Sequence, residues 1–336
     1  MGVLTGTQAI PPPVAAMFQR QLLRVANPKL LHGRPAQKKS LTQRSGNTMI
    51  FRRIAKLPLA MSPLTEGQPP TGKRLGKEDL SCTIQQWGDF VPVSDLVEAT
   101  VQHPTLREAT KRLGEQAGET LDALDRDIWA AGTSVFYGGS AASRTDLTTT
   151  THKISEAVIE RAQRYLNQQN ASIFYEMVDA DNANATFPIR ESFLGICGPE
   201  VQFTLQNLPG FRSIEEYAGK TRVLRGEFGA LKNTRFCCTT QAKKYLGGGG
   251  SSSGDVLNTS NVADVHVVLI FGMDAVAEVP LEGHSMENII KPLGSAGAAD
   301  PLNQIATSGW KHTGARIRLN EAFMTRIEVT AGDVAP

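Results

Sequence analysis

The residues that most invite a chemical reading lie in the run 247–254, GGGGSSSG. Glycine-rich loops cradle phosphates when a lysine follows to supply the charge, as in G-x-x-x-x-G-K-[ST]. Asp255 stands where that lysine is needed, which argues against a phosphate site. Gly250-Ser251-Ser252-Ser253-Gly254 also spells G-x-S-x-G. A nucleophile elbow is a sharp strand-to-helix turn, however, and three further glycines in front of it read as a flexible surface loop. Asp179-Ala180-Asp181 opens like a calcium loop, but Ala183 occupies the fifth position and Arg190 the place of the bidentate glutamate. The six histidines (His32, His103, His152, His266, His284, His312) show no pair at i, i+3 or i, i+4, so no metal site is expected. Cys82, Cys197, Cys237 and Cys238 make no C-x-x-C spacing and read as free, buried thiols of a reducing compartment. Glu215 and Glu216 are adjacent, so on a helix they diverge instead of forming an acid–base pair. These patterns lead to the expectation of no catalysis and no cofactor.

The elements around those residues say more. With 336 residues, 40% of them hydrophobic, the chain can bury one large core or two moderate ones. Its longest apolar run, VHVVLIF at 265–271, is far below the roughly 18 residues of a membrane span, so the chain is not expected to cross a membrane. Pro11, Pro12 and Pro13 would break the apolar helix of a secretory signal, and the mature chain is expected to start near Met1. Charge is unevenly placed. Residues 1–60 contain ten Lys or Arg and no Asp or Glu, which leaves 25 basic against 33 acidic residues in the remainder. A basic arm of this kind calls for an acidic partner: nucleic acid, a membrane surface, or the body of a neighbouring copy.

Residues 1–47 read as an extended arm with a short amphipathic stretch at Val14, Phe18, Leu22 and Leu23. Residues 48–57 and 80–93 are rich in Ile, Phe, Thr, Trp and Val and read as strands. The 22 residues between them carry Pro58, Pro63, Gly67, Pro69, Pro70, Gly72 and Gly76, so the pair is expected to be a hairpin with a long projecting tip. A short helix is expected from Ser94 or Asp95 to before Pro104. Next, Leu106, Leu113, Ala117, Leu121, Leu124 and Ile128 recur at helical spacing, with Glu115, Glu119, Asp122 and Asp125 among the residues assigned to the other faces. This predicts an amphipathic helix over 104–131, roughly 40 Å long, stopped by Gly132. Downstream, helices are expected at 153–168, after Pro199, and at 213–218. Strands are expected at 192–197, 227–240 and 263–271, and over 305–329 with a turn near Asn320-Glu321. A second flexible loop is expected at 294–299.

The order of basic arm, long-tipped hairpin, long helix, mixed α/β segment and terminal strands resembles the major capsid protein of tailed double-stranded DNA phages, the Johnson fold. The resemblance runs from about Thr7 to Ala331 and is greatest to the N-four-like coliphage subfamily. It is carried by QAIPPPVAAMFQRQLL in the arm, Leu64-Thr65-Glu66-Gly67 at the loop tip, Asp125-Arg126-Asp127-Ile128-Trp129 ending the helix, Cys197-Gly198-Pro199-Glu200-Val201, Val279-Pro280-Leu281-Glu282-Gly283 and Gly309-Trp310-Lys311. It implies an α+β fold with an N-terminal arm (1–47), an E-loop hairpin (48–93), a P-domain (94–151) with the spine helix at 104–131, an A-domain (152–285), and P-domain return strands (286–336).

The same resemblance implies hexamers and pentamers of the chain in an icosahedral shell around double-stranded DNA, assembled in the host bacterial cytoplasm. It further implies a portal, a separate scaffolding protein, since no long helical segment precedes the arm, and possible cement or decoration proteins. Inter-subunit contacts are expected from Arg20, Arg24, Arg34, Lys38, Lys39 and Arg44 of the arm, and from Leu64, Glu66, Lys73, Arg74 and Lys77 of the loop tip. The arm cations would lie against the Glu115, Glu119, Asp122 and Asp125 face of a neighbour's helix, or alternatively against packaged DNA. Two other readings stay open: an encapsulin-like compartment that packages enzymes, and a DNA-binding protein that uses the basic arm.

Overall fold

The computed structural model describes residues 31–54, 57–61, 63, 66–67, 72–96, 105–174, 191–216, 224, 226–252, 256–295 and 301–332. Two sheets organise them. The larger has eight strands around Val265–Phe271, which pairs antiparallel with Phe193–Cys197 on one side and Met324–Thr330 on the other. A strand in that position is covered on both faces, which explains an apolar run broken only by the buried His266. Val268 and Ile270 pack with Ile159 and Leu166 of the helix Glu156–Gln168 and with Leu205 of the helix Pro199–Gln206. Val267, Leu269 and Phe271 point the opposite way and pack with Trp129 and Met324.

Trp129 belongs to the long helix α1 (Thr105–Ala130). Leu113, Ala117 and Leu121 of the predicted stripe are buried and Leu124 and Ile128 half-buried; the side chain of Leu106 lies outside the described residues. Gly132 donates its N–H to the Trp129 carbonyl at 3.1 Å, ending the helix where the sequence suggests. The last turn of α1 carries no basic residue, although carbonyls there have no helical partner and favour cations. The cations come from the far end of the chain. Arg318 Nη1 donates to the Ile128 carbonyl at 2.7 Å, and Arg326 Nη1 donates to that of Ala130.

The second sheet has five strands built on Ile305–Arg318. Residues 305–314 pair with Gln85–Ser94 along one edge; along the other, 307–312 pair with Met286–Lys291 and 314–318 with Val276–Pro280. Gln37–Lys38 adds parallel to Val276–Pro280, so this part of the arm is a strand of its own body.

Four local readings need correction. The expected strand over 80–93 is interrupted at Ile84, whose N–H bonds to the Asn47 carbonyl at 2.8 Å. Lys77–Thr83 pairs with Thr48–Ile54 as the hairpin, whereas Gln85–Ser94 crosses into the five-stranded sheet. The expected strand over 227–240 is two antiparallel strands, Glu227–Leu231 and Thr234–Cys238; they reverse at Lys232-Asn233, with Lys232 at φ 55°. At 211–216 the chain forms a strand, Phe211–Ser213, and one turn of 3-10 helix, Ile214–Glu216, in place of the expected helix; 217–218 lie outside the described residues.

The glycine run is the fourth. Gly249 donates to the Ala263 carbonyl at 2.9 Å and Gly250 to that of Leu147 at 3.1 Å. A Cβ on Gly249 would stand 2.5 Å from the Leu147 carbonyl oxygen. These glycines let two backbones touch, so the run is a packed junction and not a floppy loop. The expected short helix beyond Leu96, the Asp179–Arg190 segment and most of the second flexible loop lie outside the described residues.

Candidate subunit-contact surfaces

The hairpin is held by its own cross-strand chemistry. Arg52 Nε donates to Asp79 at 2.8 Å and Arg53 Nη2 to Glu78 at 2.5 Å, each pair directly opposed in register. The Arg52 hydrogen bond holds the Asp79 carboxyl below its ordinary range. At its base Met49, Phe51 and Ile84 pack with Leu41, Cys82, Val279 and Ala315. Further out, Lys73 Nζ ties the two limbs of the loop by donating to the carbonyls of Pro58 (3.0 Å) and Leu59 (3.1 Å). Around that tie, large apolar side chains stand in water: Leu57, Leu75, Leu59 at 76% exposure and Met61 at 82%. Apolar groups so placed are costly to leave uncovered and mark contact sites. Glu66, Arg74 and Lys77 are exposed alongside them, and Leu64 lies outside the described residues.

A second apolar surface escaped the sequence reading. Gly309 sits between Phe90 and Ile289 in register, and directly opposed residues share a face. Ser308 and Trp310 point to α1, reaching Thr110 at 3.2 Å and Gln116 at 3.3 Å. Phe90 (62% exposed), Ile289 and Ile305 therefore project from the outer face of the sheet, and Leu96 and Leu302 are exposed near its end. No local signal in the sequence marks it, because Phe90 and Gly309 meet only through the strand register.

The arm cations are placed unevenly. Lys38, Lys39 and Arg44 are exposed, Arg34 is half-buried, and Lys39 Nζ lies 5.8 Å from the Phe51 ring centre. Arg20 and Arg24 lie outside the described residues. The acidic face predicted for α1 needs correction. Glu115 and Glu119 are half-buried on its surface, and Arg112 already bridges Glu108 (3.4 Å) and Glu115 (2.9 Å). Asp122 and Asp125 are inside. Asp122 Oδ1 accepts the backbone N–H groups of Leu31 and His32, both at 2.7 Å, and Oδ2 lies 2.7 Å from His32 Nδ1. Asp125 pairs with the buried Arg316. The missed signal is positional: Asp125 falls four residues after Leu121 and three before Ile128, within the apolar arc. A buried, partnered carboxylate is unavailable to a neighbour's arm.

The core under the outer face also carries a pH dependence. His312 is buried beside Trp87, ring centres 6.1 Å apart. Burial pushes its imidazole down to about 4, and the Arg316 guanidinium adds to that. His266 is driven below its ordinary value by burial as well. Because the folded pKa of His312 lies below the ordinary 6.5, the stability it contributes is complete above that pH and is lost as pH falls towards 4. Denaturant unfolding is expected to show a loss of about 2–3 kcal/mol from this site between pH 7 and 4.5. His312→Gln should shrink the loss, and an unchanged drop in that variant would assign the acid sensitivity elsewhere.

Among the described residues no group of three His, Cys, Asp or Glu is arranged to hold a metal ion, the four cysteines are unbridged, and no helix is long and apolar enough to cross a membrane. No protein-family model matches the chain. No curated protein sequence matches it. Solved structures do. The chain is similar to one in the capsid of Ralstonia phage GP4, with TM-score 0.67 and 16% identity over 90% of this chain and 88% of that one. It is similar to one in the capsid asymmetric unit of cyanophage Pam1, with TM-score 0.60 and 14% identity over 93% of each. It is also similar to one in the capsid of cyanophage P-SCSP1u, with TM-score 0.56 and 12% identity over 87% of this chain and 86% of that one. The fold is therefore that of phage capsid chains.

Proposed function

We propose that this chain is the major capsid protein of a tailed phage, building pentamers and hexamers of an icosahedral shell around double-stranded DNA. The observation that carries the reading is the hairpin: a self-braced projection whose tip leaves Leu57, Leu59, Met61 and Leu75 exposed, on a chain whose whole fold matches capsid chains. A lone subunit gains nothing from such a tip. Copies that lay it over one another bury it, and the arm and hairpin then strengthen thin interfaces. Phe90, Ile289 and Ile305 on the outer sheet face offer a second surface of the same kind.

The exposed cations Lys38, Lys39 and Arg44 of the arm, with Lys73, Arg74 and Lys77 of the loop, serve contacts to neighbouring copies or salt-dependent contact with packaged DNA. In this reading the arm, hairpin, spine-helix domain, axial domain and return strands divide the chain as the sequence resemblance implies, within the N-four-like subfamily. The protein acts in the virion after assembly in the host bacterial cytoplasm, with a scaffolding protein, a portal and decoration proteins as further partners, and it is not an enzyme.

Negative-stain electron microscopy of the chain, expressed alone and with its genomic neighbours, tests this. Closed shells, five- or six-membered rings, or angular sheets are expected. A monodisperse monomer under every condition would overturn the reading. Nuclease-protected DNA inside the shells separates a phage capsid from an enzyme-packaging compartment.

A further inference from the structure

Residues 31–34 enter the body through a buried polar cluster that the contact surfaces do not use. Asp122 takes two backbone N–H groups and the His32 ring, while Trp129 Nε1 donates to the His32 carbonyl at 3.0 Å. The next residue, Gly33, lies directly over Asp125: a Cβ there would stand 2.9 Å from Asp125 Oδ2 and 3.8 Å from Glu278 Oε2. Arg316, which pairs with Asp125, is the strand partner of Glu278. His32, Asp122, Asp125, Trp129 and Arg316 are all buried, and Glu278 is half-buried.

The charged groups around this point of entry come from three elements of the body and from the arm. Helix α1 contributes two carboxylates, Asp122 and Asp125. The strand Val276–Pro280 contributes a third, Glu278. Opposite them stand the Arg316 guanidinium from Ile305–Arg318 and, on the arm itself, the His32 ring and the half-buried Arg34; on that same long strand the neutral His312 adds no charge. We infer that Asp122, Asp125 and Glu278, closed over residues 31–34 by His32 and Arg316, form a proton-linked catch that holds the arm while the Asp125 carboxyl is protonated and loosens when it ionises.

The electrostatics agree with the geometry. Burial pushes the Asp125 carboxyl up to about 7, and Glu278 and Asp122 push the same way against the opposing effect of Arg316. Its folded pKa thus lies above the ordinary 3.8, so the closed catch holds a proton that the opened one releases. The stabilisation is complete on the acid side and is lost as pH rises through about 7.

The experiment is limited trypsin cleavage of the purified full chain from pH 6 to 8.5, comparing cleavage after Lys38 and Lys39 in the arm with cleavage after Arg74 and Lys77 in the hairpin, which corrects for the enzyme's own pH profile. One proton released on opening gives an expected rise in the arm-to-hairpin ratio of about tenfold across that range. Asp125→Asn, which keeps the acceptor for Arg316 and removes the titration, should flatten it. A flat wild-type ratio, or an equal rise in Asp125→Asn, overturns the inference. If Asp125→Asn does not fold, Glu278→Gln and amide exchange at His32 in the wild-type chain across the same pH range decide the matter: exchange that tracks pH only through its intrinsic chemistry refutes the catch. No shell is needed for this readout, so it stands or falls apart from the capsid reading.

Discussion

Replacing Leu57, Leu59, Met61 and Leu75 together with serine is expected to yield a chain that unfolds at the wild-type denaturant concentration but, on the proposed function, no longer builds closed shells. All four are exposed in the single chain, so little packing is lost in the subunit, and surface changes of this kind stay within about 0.5 kcal/mol each. Their value lies in assembly. Covering a large apolar side chain fully is worth roughly 1.5–3 kcal/mol, and in a shell every copy would give up that sum at once. Association then falls by several orders of magnitude, because each 1.4 kcal/mol is about tenfold. Sedimentation velocity paired with chemical unfolding reads both halves. Shells of wild-type yield would mean that the tip covers nothing, and a large drop in unfolding midpoint would mean that it belongs to the core.

Trp129→Ala is expected to have the largest effect on folding itself. Trp129 is fully buried where the end of α1 meets Ile196, Val267, Leu269 and Phe271 of the eight-stranded sheet, and its indole N–H holds the His32 carbonyl. Truncating a buried tryptophan costs about 3–5 kcal/mol, a large share of the marginal stability of a domain. The variant should be largely insoluble or unfold at a much lower denaturant concentration. Trp129→Phe keeps most of the apolar contact and loses the hydrogen bond, for a cost of about 1–3 kcal/mol. Equal losses in the two variants would show that the His32 carbonyl contact, and not packing, is what Trp129 supplies.

Periodicity made some of this architecture legible and hid other parts. The 105–130 helix and the buried strand at 265–271 are local patterns, 3.6-fold in one case and apolar but for His266 in the other, and they are where the sequence places them. The strand over 80–93 misled because composition fixes the extended state but not the partner. Its second half pairs with residues more than 200 positions away. Asp122 and Asp125 read as surface residues because they are carboxylates, and what brings them inside is His32 and Arg316, 90 and 191 residues distant. The run of four glycines is compositionally the same whether it is slack or pressed against another backbone. Of the candidate contact residues, the hairpin tip was visible as a long Pro- and Gly-rich connection, whereas Phe90 and Ile289 are adjacent only through the register of Ile305–Arg318.

The last strand, Met324–Thr330, lies between Val135–Tyr137 and Val265–Phe271 rather than at an edge, and the arginines that finish α1 flank or belong to it. Without residues beyond 317, the sheet would keep an open apolar flank and the helix its unmet carbonyls. Such an edge pairs readily with other chains. Truncation before Met324 therefore does not trim an edge but removes an inner strand, and a body so shortened exposes the flank that other chains can pair with.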